Sequence, residues 1–209
     1  MSIIDKLSSA LGRRDEKPNE ELAAQIVAKK DVKAVKELVE NLSNSSKDIQ
    51  SNCIKVLYEV GEQQPELISN YAKNFVGLLD STNNRMQWGA MTALDSIAAL
   101  EPKTIYPALG KILEIAEKGS VITRDHAVGI LIKLSTQKQY SDKTFPLLIA
   151  ELRTAPTNQL PMYAENALPI VDEKHRAAFI KTLSSRLDDI EKETKRKRVE
   201  KVIQKLSKA

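Results

Sequence analysis

The chain has 209 residues, of which 7 are Gly, 8 Pro and few aromatic (3 Phe, 1 Trp, 5 Tyr). So few turn formers and rings argue against a β-sandwich, a barrel or a Gly-rich nucleotide fold. The formal charge is +4, with 42% hydrophobic and 29% charged residues, and the excess is local: between Lys192 and Ala209, eight Lys/Arg face two Glu, so a near-neutral body carries one basic end.

In chain order, residues 1–18 form an N-terminal segment and linker, and residues 19–209 form one repeat domain. In the segment, Ile3, Ile4, Leu7, Ala10 and Leu11 have helical spacing. They predict a short amphipathic helix ended by Gly12, which packs on the first repeat, on a partner or on a membrane surface. The polar run Arg13-Arg14-Asp15-Glu16-Lys17-Pro18 follows. Five helix pairs are then expected at about 19–43, 46–80, 84–118, 121–154 and 159–188, with a final helix at about 191–208. Turn formers separate them: Ser43-Asn44-Ser45-Ser46, Ser81-Thr82-Asn83-Asn84, Lys118-Gly119-Ser120 and Pro156-Thr157-Asn158.

The pairs follow from an internal repeat of 37 residues. Cys53, Ala90, Ala127 and Ala164 keep that spacing. So do Leu57, Leu94, Leu131 and Leu168, and so do Val60, Ile97, Leu134 and Val171. Within a unit the three rows stand at i, i+4 and i+7, one face of an α-helix. The second helix of each unit carries Val35, Ala72 and Leu109; Leu38, Phe75, Ile112 and Ile149; and Val39, Val76, Leu113 and Ala150. Pro65 and Pro102 sit where a second helix begins, a place that needs no N–H. In the last helix, Val199, Val202, Ile203 and Leu206 resume the first-helix pattern. No pair is large enough to bury its own apolar face, so the pairs are expected to stack as an all-α solenoid.

These residues resemble a known repeat type. Met86-Gln87-Trp88-Gly89-Ala90-Met91-Thr92-Ala93-Leu94-Asp95-Ser96-Ile97 looks like the first helix of a HEAT repeat, and Thr123-Arg124-Asp125-His126-Ala127-Val128-Gly129-Ile130-Leu131 resembles it too. The resemblance to HEAT-like and armadillo-type α-helical repeats covers roughly residues 19–208. The Trp-x-x-Leu-Gly-x-x-Tyr signature of tetratricopeptide repeats is missing. Position 124 keeps the Arg of the HEAT cadence, whereas Gln50, Gln87 and Pro161 stand at the equivalent positions. The resemblance implies an α-α superhelix whose concave face, lined by second helices, binds proteins or, in some members, nucleic acid.

On that implied face, Lys36, Asn70, Lys73, Asn74, Lys111, Glu114, Leu147 and Glu151 are the expected partner-binding residues, beside Lys33, Glu37, Glu40, Gly77, Pro107, Gly110, Thr144 and Leu148. The row is mixed in charge, and a phosphate-tracking groove would be a continuous basic stripe. A protein or peptide therefore fits it better than nucleic acid. Pro107 and Pro146 fall inside second helices and are expected to bend or break them. The basic end offers Lys197, Arg198, Lys201 and Lys205 as candidate anion-binding residues. A solvated face on a terminal repeat explains them as well.

Nothing here requires catalysis, a cofactor or a metal. No phosphate-binding loop, His-Glu-x-x-His or Cys-x-x-Cys is present. The single cysteine, Cys53, stands in a row of alanines and reads as a small core residue. One cysteine also excludes an internal disulfide framework. His126 and His175 lie on different repeats, and His126 reads as a surface or inter-repeat residue. DNA glycosylases for alkylated purines, also built of HEAT-like repeats, use tryptophans and an aspartate beside a basic groove. Trp88 and Asp95 lie seven residues apart, but Trp88 is the one tryptophan in the chain, so a base-stacking site lacks its second ring. Met1–Leu7 contains Asp5 and no long apolar run, unlike a signal peptide, and no stretch reaches the roughly 18 apolar residues of a membrane span. The sequence thus predicts a cytoplasmic, non-catalytic scaffold that binds a protein or peptide. The alternatives are a nucleic-acid-binding module using the C-terminal helix and, remotely, an alkylpurine glycosylase.

Overall fold

A computed structural model describes residues Ser2–Lys208. Its regular structure among these residues is helical. The helices are α1 (Lys17–Lys29), α2 (Val32–Glu40), α3 (Lys47–Gln63), α4 (Ala72–Leu78), α5 (Asn84–Ile97), α6 (Pro102–Ile105), α7 (Leu109–Lys118), α8 (Val121–Ser135), α9 (Lys138–Thr154), α10 (Leu160–Ala167), α11 (Glu173–Ser184) and α12 (Glu193–Lys208). The chain divides into two compact units, Met1–His126 and Ala127–Ala209, with the boundary inside α8.

In the first unit, α3 packs against both α1 and α5, so the first helices of successive pairs lie side by side. Cys53, Leu57, Val60, Ala90, Leu94 and Ile97 on α3 and α5 are all 0% exposed, as the repeat rows require. Close approach needs small residues on that seam. A Cβ on Gly61 would lie 2.5 Å from Ile68 Cδ1, and one on Gly89 would lie 2.7 Å from Ile54 Cγ1. Burial pushes the Cys53 thiol up to about 12, with Glu37 adding to the shift, so it stays a neutral core group.

Helix starts follow local chemistry. Asp31, Ser46 and Asn83 each accept a backbone N–H of the first turn of α2, α3 and α5, and Asp172 does the same for α11. The second helices are more broken than the periodicity suggests. In the second pair, Pro65–Leu67 and Ser69–Tyr71 are short 3-10 turns, and only then does α4 begin. Pro107 does split its helix: α6 ends at Ile105, a 3-10 turn covers Tyr106–Ala108, and α7 starts anew. Pro146 does not, because α9 runs through it with the ring exposed.

The N-terminal segment differs from the expected amphipathic helix. Ile3–Lys6 is a 3-10 turn, and turns rather than an α-helix follow it. The reason is competition for backbone donors. Asn19 Oδ1 takes the Ser8 N–H at 3.0 Å, and Asn52 Oδ1 takes the Ser9 N–H at 3.0 Å. Ile3 and Leu7 are buried, whereas Leu11 is 54% exposed. Ser2 Oγ and the Ile3 N–H both donate to the Glu37 carboxylate. Glu37 therefore anchors this segment instead of facing a partner.

In the second unit, α11 packs on α9 and α12, and α10 packs on α12. Phe145 stacks on His175 with ring centroids 4.1 Å apart, and His175 Nδ1 lies 2.7 Å from Asp172 Oδ1. This histidine is a core residue. Two repeat rows weaken here. Leu168 and Val171 are only half-buried, because Leu168–Ile170, holding Pro169, forms a 3-10 turn after α10. Thr144 and Leu148, expected on the partner face, are 0% exposed, with Thr144 Oγ1 bonded to Ser135 Oγ at 2.7 Å. In α9 the buried face is thus rotated toward Thr144 and Leu148 relative to the register of α4 and α7.

Candidate functional site

The residues expected to bind a partner are scattered over second helices of both units. Lys36 is exposed and reaches Glu40 on its own helix at 3.8 Å. Asn70 sits on a 3-10 turn, with Lys73 and Asn74 on α4, all exposed. Leu147 and Glu151 belong to α9 in the second unit, the former 36% exposed and the latter half-buried. Only Lys111 and Glu114 come together, on α7. They line a cleft of about 560 Å³ with Asp80, Trp88, Ile115 and Lys118. Lys111 pairs with Asp80, and Lys118 Nζ lies 2.6 Å from Glu114 Oε1. The Lys118 ammonium holds the Glu114 carboxyl below its usual value.

A second assembly lies in the same unit, on the first helices α3 and α5 and the start of α8 up to His126. Tyr58 and Trp88 face each other with ring centroids 5.4 Å apart and a 51° tilt. Lys55 Nζ sits 5.0 Å from the Tyr58 ring centroid, 2.5 Å from Glu59 Oε1 and 3.5 Å from Glu20 Oε1. Burial pulls the Lys55 ammonium down, but bonds to Glu59 and Tyr58 outweigh it, and its pKa lies above the ordinary lysine value. Burial raises Tyr58, and Lys55 opposes part of that rise.

One turn on, His126 bridges α8 to α5. Its Nδ1 lies 2.9 Å from Asp95 Oδ2, and its Nε2 lies 2.9 Å from Thr92 Oγ1. Glu62 of α3 completes the group. Burial and then the charge of Glu59 raise its carboxyl above the usual value, Asp95 adds to this, and His126 and Lys55 oppose it. The order Asp95, His126, Thr92 is that of a hydrolase triad, yet Thr92 is 4% exposed and its hydroxyl donates to the Trp88 carbonyl at 3.0 Å. An oxygen so buried and so engaged cannot meet a substrate.

Of this assembly the sequence pointed to Trp88, Asp95 and His126 separately, and His126 does sit between repeats. Lys55, Tyr58, Glu59, Glu62 and Thr92 were not singled out. A signal existed: Lys55 and Thr92, and likewise Tyr58 and Asp95, are 37 residues apart, a polar row beside the apolar ones. On α12, Lys197, Arg198, Lys201 and Lys205 are exposed, as expected. Arg198 makes a two-pronged bond to Glu165 of α10, with Nε to Oε1 at 2.8 Å and Nη2 to Oε2 at 2.5 Å.

No protein-family model and no curated protein matches the chain. Solved structures do match it. An engineered protein is similar with TM-score 0.65 at 17% identity, over 100% of this chain and 98% of that one. A designed armadillo repeat protein in complex with the peptide (KR)4 gives 0.67 at 15%, over 98% and 97%. Computationally designed armadillo repeat proteins for modular peptide recognition give 0.66 at 14%, over 98% of both. At these identities the likeness is one of fold. The fold is an all-α, armadillo/HEAT-like helical repeat. Among the described residues no helix is long and apolar enough to cross a membrane, and no group of three or more His, Cys, Asp or Glu is placed to hold a metal ion.

Proposed function

We propose that this chain is a non-catalytic scaffold that holds an extended basic peptide segment on the shared face of α3 and α5. The observation that carries this reading is the Tyr58–Trp88 ring pair beside the crowded carboxylates Glu59, Glu62 and Asp95. Lys55 already lies over the Tyr58 ring, so the site stabilises an ammonium from its own chain. A Lys or Arg side chain of a peptide would stack beside Trp88 and relieve the charge on Glu62. Cation–π contacts contribute about 0.5–1 kcal/mol each at exposed positions. One structurally similar designed protein forms a complex with the peptide (KR)4, which supports the choice of ligand. Rigid stacked helices would keep the ordering cost on the peptide alone. The buried thiol of Cys53 suits a cytoplasmic setting as well as any other.

The second-helix residues Lys36, Asn70, Lys73, Asn74, Lys111, Glu114, Leu147 and Glu151 are the alternative seat. Lys111 and Glu114 favour it through the cleft that they line with Trp88. Trp88, the one tryptophan in the chain, borders both seats, so its emission reports binding and charge variants separate the seats. Titration with an alternating Lys-Arg octapeptide should shift the Trp88 emission. Glu59→Gln with Glu62→Gln should weaken binding by about tenfold, roughly 1.4 kcal/mol. Lys73→Glu with Lys111→Glu should leave it near the wild-type value. Unchanged binding by the glutamine pair, with tighter binding by the Lys73→Glu and Lys111→Glu pair whose new carboxylates would attract a basic peptide seated there, places the peptide on the second helices, and no binding to either face rejects the scaffold reading for basic peptides.

A further inference from the structure

The seven cations of α12 divide into two sets. Lys195, Arg196 and Arg198 hold the fold together. Lys195 Nζ lies 2.6 Å from Asn158 Oδ1, Arg196 donates from Nε and Nη2 to the Ile190 carbonyl at 3.2 and 3.0 Å, and Arg198 is clamped on Glu165. Lys197, Lys201, Lys205 and Lys208 do none of this, and all four are exposed. Lys197 has one partner, Glu193, one turn back on the same helix, with both side chains more than half exposed (63% and 77%). At about 100° and 1.5 Å per residue, the four ammonium groups fall within an arc of about 80° and span about 16 Å of helix axis. The arc lies opposite the buried Val199, Val202 and Leu206. Glu165 of α10 is bound by Arg198, which holds its carboxyl below its usual value, with the charges of Lys205 and Lys201 adding to that effect.

We infer that this stripe is a contact surface for the phosphate backbone of duplex nucleic acid. A row of four cations about 16 Å long matches about five phosphates of one strand at about 3.4 Å of duplex axis each. An anionic membrane is the poorer partner. An interfacial helix inserts an apolar face, and the apolar face of α12 is already buried in the protein. Single strands fit less well too, because they need aromatic platforms, and α12 carries no aromatic residue. The contact reads no base sequence, since lysine ammoniums on phosphate position a duplex without specifying it.

Binding of a labelled 20-base-pair DNA to the full chain, followed by fluorescence anisotropy, tests this. Four phosphate contacts predict a slope of log K on log salt near −3.6, so affinity should fall roughly 100-fold between 50 and 200 mM NaCl. The variant K197Q/K201Q/K205Q/K208Q should melt like the wild type, lose most of the binding and flatten the slope. Lys195→Gln, which removes a fold contact, should leave the slope unchanged. No duplex binding at 50 mM NaCl overturns the inference, as does a quadruple variant that binds like the wild type. Capture by phosphatidylserine vesicles without duplex binding overturns it in favour of a lipid surface.

Discussion

His126 and Asp95 join two helices through one bond: the Nδ1 of the first lies 2.9 Å from the Oδ2 of the second, α8 to α5. The same ring reaches Thr92 on its other side, so one side chain staples consecutive repeats at two points. His126→Ala removes both bonds and leaves two inward-facing oxygens with fewer partners. The expected loss is about 1–3 kcal/mol of unfolding free energy, measured by urea denaturation. His126→Gln, able to reach one of the two, should recover part of it.

Glu62 should show the opposite sign. Burial and the charge of Glu59 raise its folded pKa above the unfolded value. A group raised in this way favours the fold fully below its unfolded pKa, and that contribution is lost as pH rises through the folded pKa. At neutral pH the ionised Glu62 is therefore a small liability, limited by its exposure to about 1 kcal/mol or less. Glu62→Gln should raise the melting temperature slightly at pH 7, with the gain vanishing near pH 3. The same variant should bind a basic peptide more weakly. Stability gained and affinity lost together would mark Glu62 as a residue kept for binding.

The repeat made the core legible. Cys53, Leu57 and Val60 predicted their counterparts on α5 and α8, because a first helix packs on a face that recurs unchanged. The second helices were harder to read. Proline breaks, 3-10 turns and a rotated α9 shift which residues face out, and 37-residue spacing carries no record of such rotation. Thr144 reads as a surface threonine until Ser135 is seen opposite it. The polar cluster was hidden for another reason. Lys55, Glu59 and Glu62 look like an ordinary solvated stripe, and only the approach of α5 turns Lys55 and Tyr58 inward beside Trp88.

Three glycines separate packing from propensity. Gly89 faces Ile54 across the seam between α3 and α5, and an added methyl would stand 2.7 Å from Ile54 Cγ1. Gly89→Ala should destabilise by about 1–3 kcal/mol through overpacking, even though alanine favours the helix. Gly77 and Gly110 meet nothing within 4 Å. Gly77→Ala and Gly110→Ala should each stabilise by about 0.5–1 kcal/mol, seen as a higher urea midpoint.

In the second unit one side chain closes the end of a helix. Arg186 Nη1 donates to the carbonyls of Leu152 at 3.1 Å and Arg153 at 2.7 Å, and Nη2 donates to that of Ala155 at 3.0 Å. Its Nε is held by Asp189 Oδ2 at 2.6 Å, which fixes the plane of the guanidinium. These carbonyls belong to the last turn of α9 and the residue beyond it, where oxygens lack helical partners and the helix dipole favours a cation. The guanidinium serves three of them at once because its donors spread in a rigid fork, which a lysine ammonium cannot reproduce. Arg186→Ala should cost about 2–4 kcal/mol, since each charged bond contributes about 1.5–3 kcal/mol and the set is not additive. Arg186→Lys should keep the charge, reach fewer oxygens and lose about half as much. Amide hydrogen exchange should locate the effect: protection near Leu152 to Ala155 falls in both variants, while that of α3 and α5 holds.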